Sequence, residues 1–314
     1  MLNRCYSLIL DFLVLSVLFV CLCLGIFFSF PNSSLAVPNP KMTADNFFRL
    51  GVESILRADY QGAIDNFLKV IELKEDFAAA YSNLCLANLQ IENYPTAIQN
   101  CTKAISLNPK NTEALLDRGL AHYREGDFKA AIADDNRAIK IKPYDFRAYY
   151  NRGLATSSLG YYQLAIMDYN RALSQVPQTS SLSIAEIYND RGLMNLELQN
   201  TSAALIDFSL AIRHNANNYK AYFNRGCVCS NNGYFQKAIQ DFTNVIELQP
   251  DDANAYVNRG VAYYHIGDRQ AAIENLQIGA AYFVKQGQEL AFKQTLDLID
   301  NFEEVSEDEF AYIA

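Results

Sequence analysis

The sequence predicts an all-α solenoid, a stack of antiparallel helix pairs, on three observations. A short string recurs five times, as Asp117-Arg118-Gly119, Asn151-Arg152-Gly153, Asp190-Arg191-Gly192, Asn224-Arg225-Gly226 and Asn258-Arg259-Gly260, and three of the four intervals between its glycines are 34 residues. Small residues return at two fixed places in that period, and proline closes several periods at one place. A period of this length is one helical hairpin, which cannot bury its apolar face until a neighbour covers it. Half of the 314 residues are hydrophobic, and the 20 Tyr and 19 Phe, with no Trp, are spread along the chain as a linear core requires. Such a molecule works through a surface.

Aligned on the recurrent glycine, the chain divides into seven units, 44–77, 78–111, 112–145, 146–179, 185–218, 219–252 and 253–286. The first helix of each carries a small residue at its eighth place, Gly51, Cys85, Gly119, Gly153, Gly192, Gly226 and Gly260, with Phe47, Tyr81, Leu115, Tyr149, Tyr188, Tyr222 and Tyr256 four residues earlier on the same face. The second helix carries alanine at place twenty, Ala63, Ala97, Ala131, Ala165, Ala204, Ala238 and Ala272. Glycine inside a helix costs roughly 1 kcal/mol, so its regular return implies close contact between helices, and these glycines and alanines are expected to face each other there. Four residues after each alanine stand Phe67, Cys101, Asp135, Tyr169, Phe208, Phe242 and Leu276, of which Asp135 breaks the apolar pattern. It is either turned outward or buried with a partner, since burial without one is costly. Turns between helices hold Gly126, Gly160, Gly233 and Gly267, or Asn93 and Asn200, and Pro109, Pro143, Pro177 and Pro250 close their units. Residues 287–303, bearing Leu290, Phe292, Leu296, Leu298, Ile299 and Phe302, read as a capping helix, and 304–314 as an acidic tail.

Small residues at places eight and twenty, large ones at four and twenty-four, and a closing proline on a 34-residue period resemble the tetratricopeptide repeat over residues 44–286. The resemblance implies a right-handed superhelix of antiparallel helix pairs whose concave groove, lined by the first helices, receives peptides or partner helices. The departures are Asp135, three units without the closing proline, and five extra residues, Ser180 to Ile184, which mark the expected local kink. The carboxylate clamp of chaperone adaptors in this family is not assembled, because its lysine and asparagine places hold Phe48 and Val52, Ser82 and Leu86, Leu116 and Leu120, or Tyr150 and Leu154.

A second pattern lies within the repeats. From the third unit on, the seventh place is Arg118, Arg152, Arg191, Arg225 and Arg259, where the family tends to be apolar, and the twenty-third place changes in step to Asp134, Asp168, Asp207 and Asp241. A half-buried guanidinium requires a carboxylate, so these residues are expected to form an ion-pair ladder, either within units or between neighbours.

Residues 12–28 are an uncharged apolar run ending before Pro31, and Ser34-Leu35-Ala36 supplies a small-x-small triplet. Residues 1–36 therefore read as a signal peptide or an N-terminal anchor, with 37–43 a linker, which places the repeats outside the cytoplasm in a periplasm, lumen or extracellular space. Cys85 and Cys101 lie symmetrically about one interhelical turn and are either a disulfide or two small buried residues.

With 26 Lys and Arg against 35 Asp and Glu, the net charge of −9 disfavours nucleic acid and anionic membrane surfaces as partners, and the membrane enters only through the N-terminal segment. The three histidines show no catalytic or metal spacing, and no phosphate loop or nucleophile elbow occurs, so neither enzyme activity nor a cofactor is expected. The expected function is a protein-interaction scaffold, with the regulatory or substrate-recruiting subunit of an enzyme encoded elsewhere as the alternative. Assembly of a membrane-associated complex is one form of the first. The peptide-binding candidates along the groove are Phe48, Val52, Asn83, Leu86, Leu116, Leu120, Tyr123, Arg147, Tyr150, Asn151, Phe223, Asn224 and Asn258, where amides hold a peptide backbone and apolar neighbours take its side chains.

Overall fold

The structure, a computed structural model, describes residues 42–304. Fifteen α-helices follow one another in it: α1 (Ala44–Leu56), α2 (Tyr60–Leu73), α3 (Ala78–Gln90), α4 (Tyr94–Leu107), α5 (Thr112–Arg124), α6 (Phe128–Ile141), α7 (Phe146–Ser158), α8 (Tyr162–Leu173), α9 (Ser181–Glu197), α10 (Thr201–His214), α11 (Tyr219–Asn231), α12 (Phe235–Leu248), α13 (Ala253–His265), α14 (Arg269–Lys285) and α15 (Glu289–Glu304). Odd and even helices pair as seven hairpins, each packed on the next, and α15 covers α14. This is an all-α solenoid.

Each hairpin is written into its caps. The side chains of Asp59, Asn93, Asp127, Asn200 and Asp268 accept the N–H three residues on and so start the second helices. Asn111, Asn218 and Asp252 do the same for first helices. The left-handed turn residue stands just before the cap of the second helix: Gly126, Gly160, Gly233 and Gly267, but Ala58, Glu92 and Gln199 in the other units. Asn93 and Asn200, expected in these turns, are the helix caps there, with φ of −85° and −89°, and the left-handed residue is the one before each. Where the closing proline gives way to Val284, α14 runs on to Lys285; at Glu75 and Ala216 the helices stop without it.

The eighth-place glycines meet rings more than alanines, which corrects the expected packing. A Cβ at Gly51, Gly153, Gly192 or Gly226 would stand 2.6–2.9 Å from the ring of Phe67, Tyr169, Phe208 or Phe242, the residue four places after the alanine. The missing side chain makes room for a fully buried ring; the alanines, at most 1% exposed, pack around it. An alanine's own atom is the nearest neighbour only at Gly260, whose Cβ would lie 2.9 Å from the carbonyl of Ala272. Two units change the theme. In the second, Cys85 and Cys101 occupy the glycine and ring places and are joined as a disulfide, Cα to Cα 5.2 Å. In the third, Asp135 takes the ring's place fully buried, and neither carboxyl oxygen has a hydrogen-bond partner.

The extra residues before the fifth unit are helical: Ser181 to Ile184 lengthen α9 by a turn, with Ile184 and Ile187 buried. On the capping helix the buried side chains are Thr295, Ile299 and Phe302, and Phe302 stacks on Tyr264 at 3.6 Å. Leu290 and Leu296 were expected on that face and are instead exposed, because the face that packs carries Thr295, Ile299 and Phe302, spaced four and three residues apart, and Leu296 lies off it. No described helix is long and apolar enough to cross a membrane. The apolar run at 12–28, the linker to residue 41 and the tail beyond Glu304 lie outside the described residues.

Candidate functional site

First helices approach the first helices of neighbouring units, α1 to α3, α3 to α5, α5 to α7, α9 to α11 and α11 to α13, whereas no two second helices come as close. The first helices therefore form the inner side of the stack. Across the lengthened α9, its approach to α7 is looser than that of the other pairs, and there the inner side opens.

Two clefts lie on this side. One, of about 380 Å³, spans α5, α7 and α9 and is walled by Leu116, Leu120, Phe146, Tyr150 and Leu182, with Asp117, Arg147, Asn151, Ser183 and Glu186 as its polar lining. The other, of about 420 Å³, is lined by Asn189, Asp190, Leu193, Tyr219, Lys220, Phe223, Asn224, Asp252 and Asn254. Between them Tyr150 donates to Asp190 at 2.7 Å, and Asn224 donates to Asn189 at 2.9 Å. Burial raises the Asp190 carboxyl, and hydrogen bonds from Tyr150 and Asn189 oppose the rise. Burial and the neighbouring Asp190 push the Tyr150 phenol upward.

Of the groove candidates, Leu116, Leu120, Arg147, Tyr150 and Asn151 line the first cleft and Phe223 and Asn224 the second. Phe48 and Val52 line neither cleft; both are half-buried against the core shared by the first two units, and Phe48 lies on the rings of Phe67 and Phe77 at 5.6 and 5.0 Å. Asn83 donates to the carbonyl of Ala79 in its own helix, and Tyr123 packs on Phe128. Leu86 and Asn258 line neither cleft. Arg147 is engaged at both edges, bidentate to Glu113 at 2.8 and 2.9 Å and paired with Asp145 at 2.7 Å. Its hydrogen bonds hold both carboxyls below the usual range.

Sequence reasoning missed Asp117 and Glu186 in the first cleft, and Asp190 and Lys220 in the second. Asp117 shares the sixth place with the groove asparagines, so the signal was the column itself. The Asp117 carboxylate lies within 4.8 Å of both sulfurs of the Cys85–Cys101 pair. The sulfurs are bonded to each other and so are not thiolate ligands. Burial, reinforced by Glu113 and opposed by Arg147, raises the Asp117 carboxyl to about 7.

The charged ladder stands behind the groove. Arg118, Arg152, Arg191 and Arg225 each grip Asp134, Asp168, Asp207 and Asp241 of their own unit through Nε and Nη2, at 2.5–3.0 Å. The remaining Nη1 donates to the preceding unit's second helix, to Thr102, Asn136, Asn170 and Ser209. Arg259 donates through Nε alone to Asn275 and through Nη1 to Thr243. Tyr149, Tyr188, Tyr222 and Tyr256 lie beneath the guanidinium planes at 5.2–5.8 Å. One planar group thus clasps three helices. Among the histidines, His214 stacks on Tyr188 and His265 on Phe235.

Family models described as tetratricopeptide repeat match residues 86–146 and 146–178, and one described as TPR repeat matches 231–267. No curated protein matches the chain. Among solved structures, YrrB, titled a TPR protein with an unusual peptide-binding site, is 22% identical with a TM-score of 0.51, covering 63% of this chain and 97% of that one. PilF of Pseudomonas aeruginosa is 18% identical with a TM-score of 0.61, covering 70% and 96%. A tetratricopeptide repeat protein of Parabacteroides merdae is 19% identical with a TM-score of 0.60, covering 81% and 98%. These likenesses are of fold; the stretches matched by the family models, 86–178 and 231–267, are tetratricopeptide repeats, and the seven packed hairpins are those of a tetratricopeptide-repeat solenoid.

Proposed function

We propose that the protein is a non-catalytic interaction scaffold that holds extended segments of partner proteins along its inner face, and that it organises a membrane-associated complex outside the cytoplasm. The observation that carries the reading is the pair of open clefts on one side of the stack, each combining an apolar wall with carboxylate and amide groups. An extended chain presents side chains alternately and backbone groups between them, which such a surface matches. YrrB, similar in fold, is titled as peptide-binding. A buried disulfide between two packed helices suits an oxidising compartment, in accord with the apolar run at 12–28.

Photo-crosslinking in native membranes tests the reading, with a benzophenone side chain at Asn151 in the first cleft or at Met167, which is exposed on the second helix α8. Partners captured from Asn151 and absent from Met167 are expected. Capture from Met167 alone would place the working face on the other side. A stoichiometric catalytic chain among the captured partners would make the protein an enzyme's recruiting subunit.

A further inference from the structure

We propose that the cleft between α5, α7 and α9 anchors one lysine or arginine side chain of an extended partner segment, its aliphatic stem on the leucine wall and its cationic head on Asp117 and Glu186. The proposal rests on the groove reading above and names the partner's chemistry at this cleft.

The charges around the cleft are unbalanced. Asp117 and Glu186 line it, Glu113 and Asp145 stand at its edge, and the lining cation, Arg147, is already committed to those last two. Lys142 reaches Glu113 at 3.6 Å and adds nothing at Asp117. The Asp117 carboxylate accepts no hydrogen bond from any described residue; the groups acting on it are Glu113, which repels its charge, and Arg147, which steadies it at a distance. It lies within 4.8 Å of the bonded sulfurs of Cys85 and Cys101, which offer no donor. A carboxylate so placed has no cation of its own beside it, and a basic side chain entering the cleft would supply one.

The shape selects among cations. Leu116, Leu120, Phe146, Tyr150 and Leu182 give the cleft a wall for methylene groups, which suits the long stem of lysine or arginine. A phosphate or a chain-terminal carboxylate would meet charges of its own sign. Raising the pH through about 7 ionises Asp117, so the anchor tightens in that direction.

The test pans a display library of random extended segments against the full chain and against the Asp117→Asn/Glu186→Gln double variant, whose helical circular dichroism and unfolding midpoint are checked first. Segments enriched on the wild type should carry lysine or arginine at one register between apolar residues. Replacing that residue by norleucine in the best segment should weaken binding about tenfold on the wild type and less than about twofold on the double variant. Binding of the basic segment should strengthen as pH rises from about 6 to 8, and that of the norleucine segment should stay level. Enriched segments without a basic position, or equal losses on both proteins, overturn the anchor while leaving the groove reading in place. A library that enriches nothing overturns both.

Discussion

Gly119 on α5 faces Asp135 on α6 as Gly153 on α7 faces Tyr169 on α8: a Cβ at Gly119 would lie 3.2 Å from the Asp135 carboxyl, and one at Gly153 would lie 2.6 Å from the Tyr169 ring. The third unit keeps the space for a ring and fills it with a buried acid that has no hydrogen-bond partner. Asp135→Phe should therefore raise the unfolding free energy by about 2 kcal/mol, read by urea denaturation at neutral pH. Burial first, then Asp134 and Asp168, push the Asp135 carboxyl up to about 8, and Arg152 opposes them. The sign follows: an acid whose pKa is raised in the folded state binds an extra proton there, so its stabilising contribution is full below about pH 4 and is lost as pH rises through about 8. Asp135→Asn should flatten that decline relative to the wild type. Parallel stability profiles for the two proteins would refute the assignment.

The second unit solves the same crossing covalently. The disulfide between Cys85 and Cys101 closes a loop of 16 residues between α3 and α4, which by chain entropy contributes roughly 3 kcal/mol. Peptide mapping under non-reducing conditions should recover the linked pair, and reduction should lower the urea midpoint. Substitution can also restore the theme of the other units. Cys101→Phe alone meets the Cys85 side chain and should cost about 1 to 3 kcal/mol by overpacking. Cys85→Gly with Cys101→Phe recreates a glycine under a ring, and the double variant should be more stable than the Cys101→Phe single variant.

Much of this was legible in the sequence because repetition supplies its own alignment. The helices begin at Ala44, Ala78, Thr112, Phe146, Tyr219 and Ala253, where the glycine register sets the units. The columns were visible, but which column meets which was not. Two rows of small residues suggest a small-on-small contact, whereas the geometry sets Gly51, Gly153, Gly192 and Gly226 under the ring one turn beyond the alanine. The third arm of the clasp was also readable: place twenty-five is Thr102, Asn136, Asn170, Ser209 and Thr243 before each arginine-bearing unit and Leu68 before Leu84. The clefts were not readable in this way. The first opens where α9 is lengthened, and the spacing of neighbouring hairpins there depends on how the inserted turn packs, which no single column records.

The ladder gives a sharp test of connectivity. Arg152 lies in one unit with Asp168, bonded through Nε and Nη2, while Arg191 of the next unit reaches Asn170 and Asp207. A double-mutant cycle on Arg152 and Asp168 should give a coupling of about 2 kcal/mol, since the pair is bidentate and largely withdrawn from water. The cycle on Arg191 and Asp168 should give less than about 0.5 kcal/mol. The reverse order would mean that the pairs join neighbouring units.

The interhelical turns offer a test that involves no side-chain contact. Gly126, Gly160, Gly233 and Gly267 take φ of 76–85°, and a Cβ at any of them would meet nothing within 4 Å. Ala58, Glu92 and Gln199 hold the same turn at φ of 58–60°, so three units carry the backbone strain that glycine avoids. A side chain in the left-handed region costs about 1 to 2 kcal/mol, and glycine's larger unfolded-state entropy returns part of that on replacement. Gln199→Gly should accordingly stabilise the fifth unit by up to about 1 kcal/mol, and Gly160→Ala should destabilise the fourth by about 1 kcal/mol. Native-state hydrogen exchange resolves the two units separately, as a whole-chain melt of a repeat array does not. Slower exchange in α9 and α10 for the first variant and faster exchange in α7 and α8 for the second are expected, because each hairpin's local opening breaks at this turn. If both variants exchange like the wild type, the turn does not limit hairpin opening.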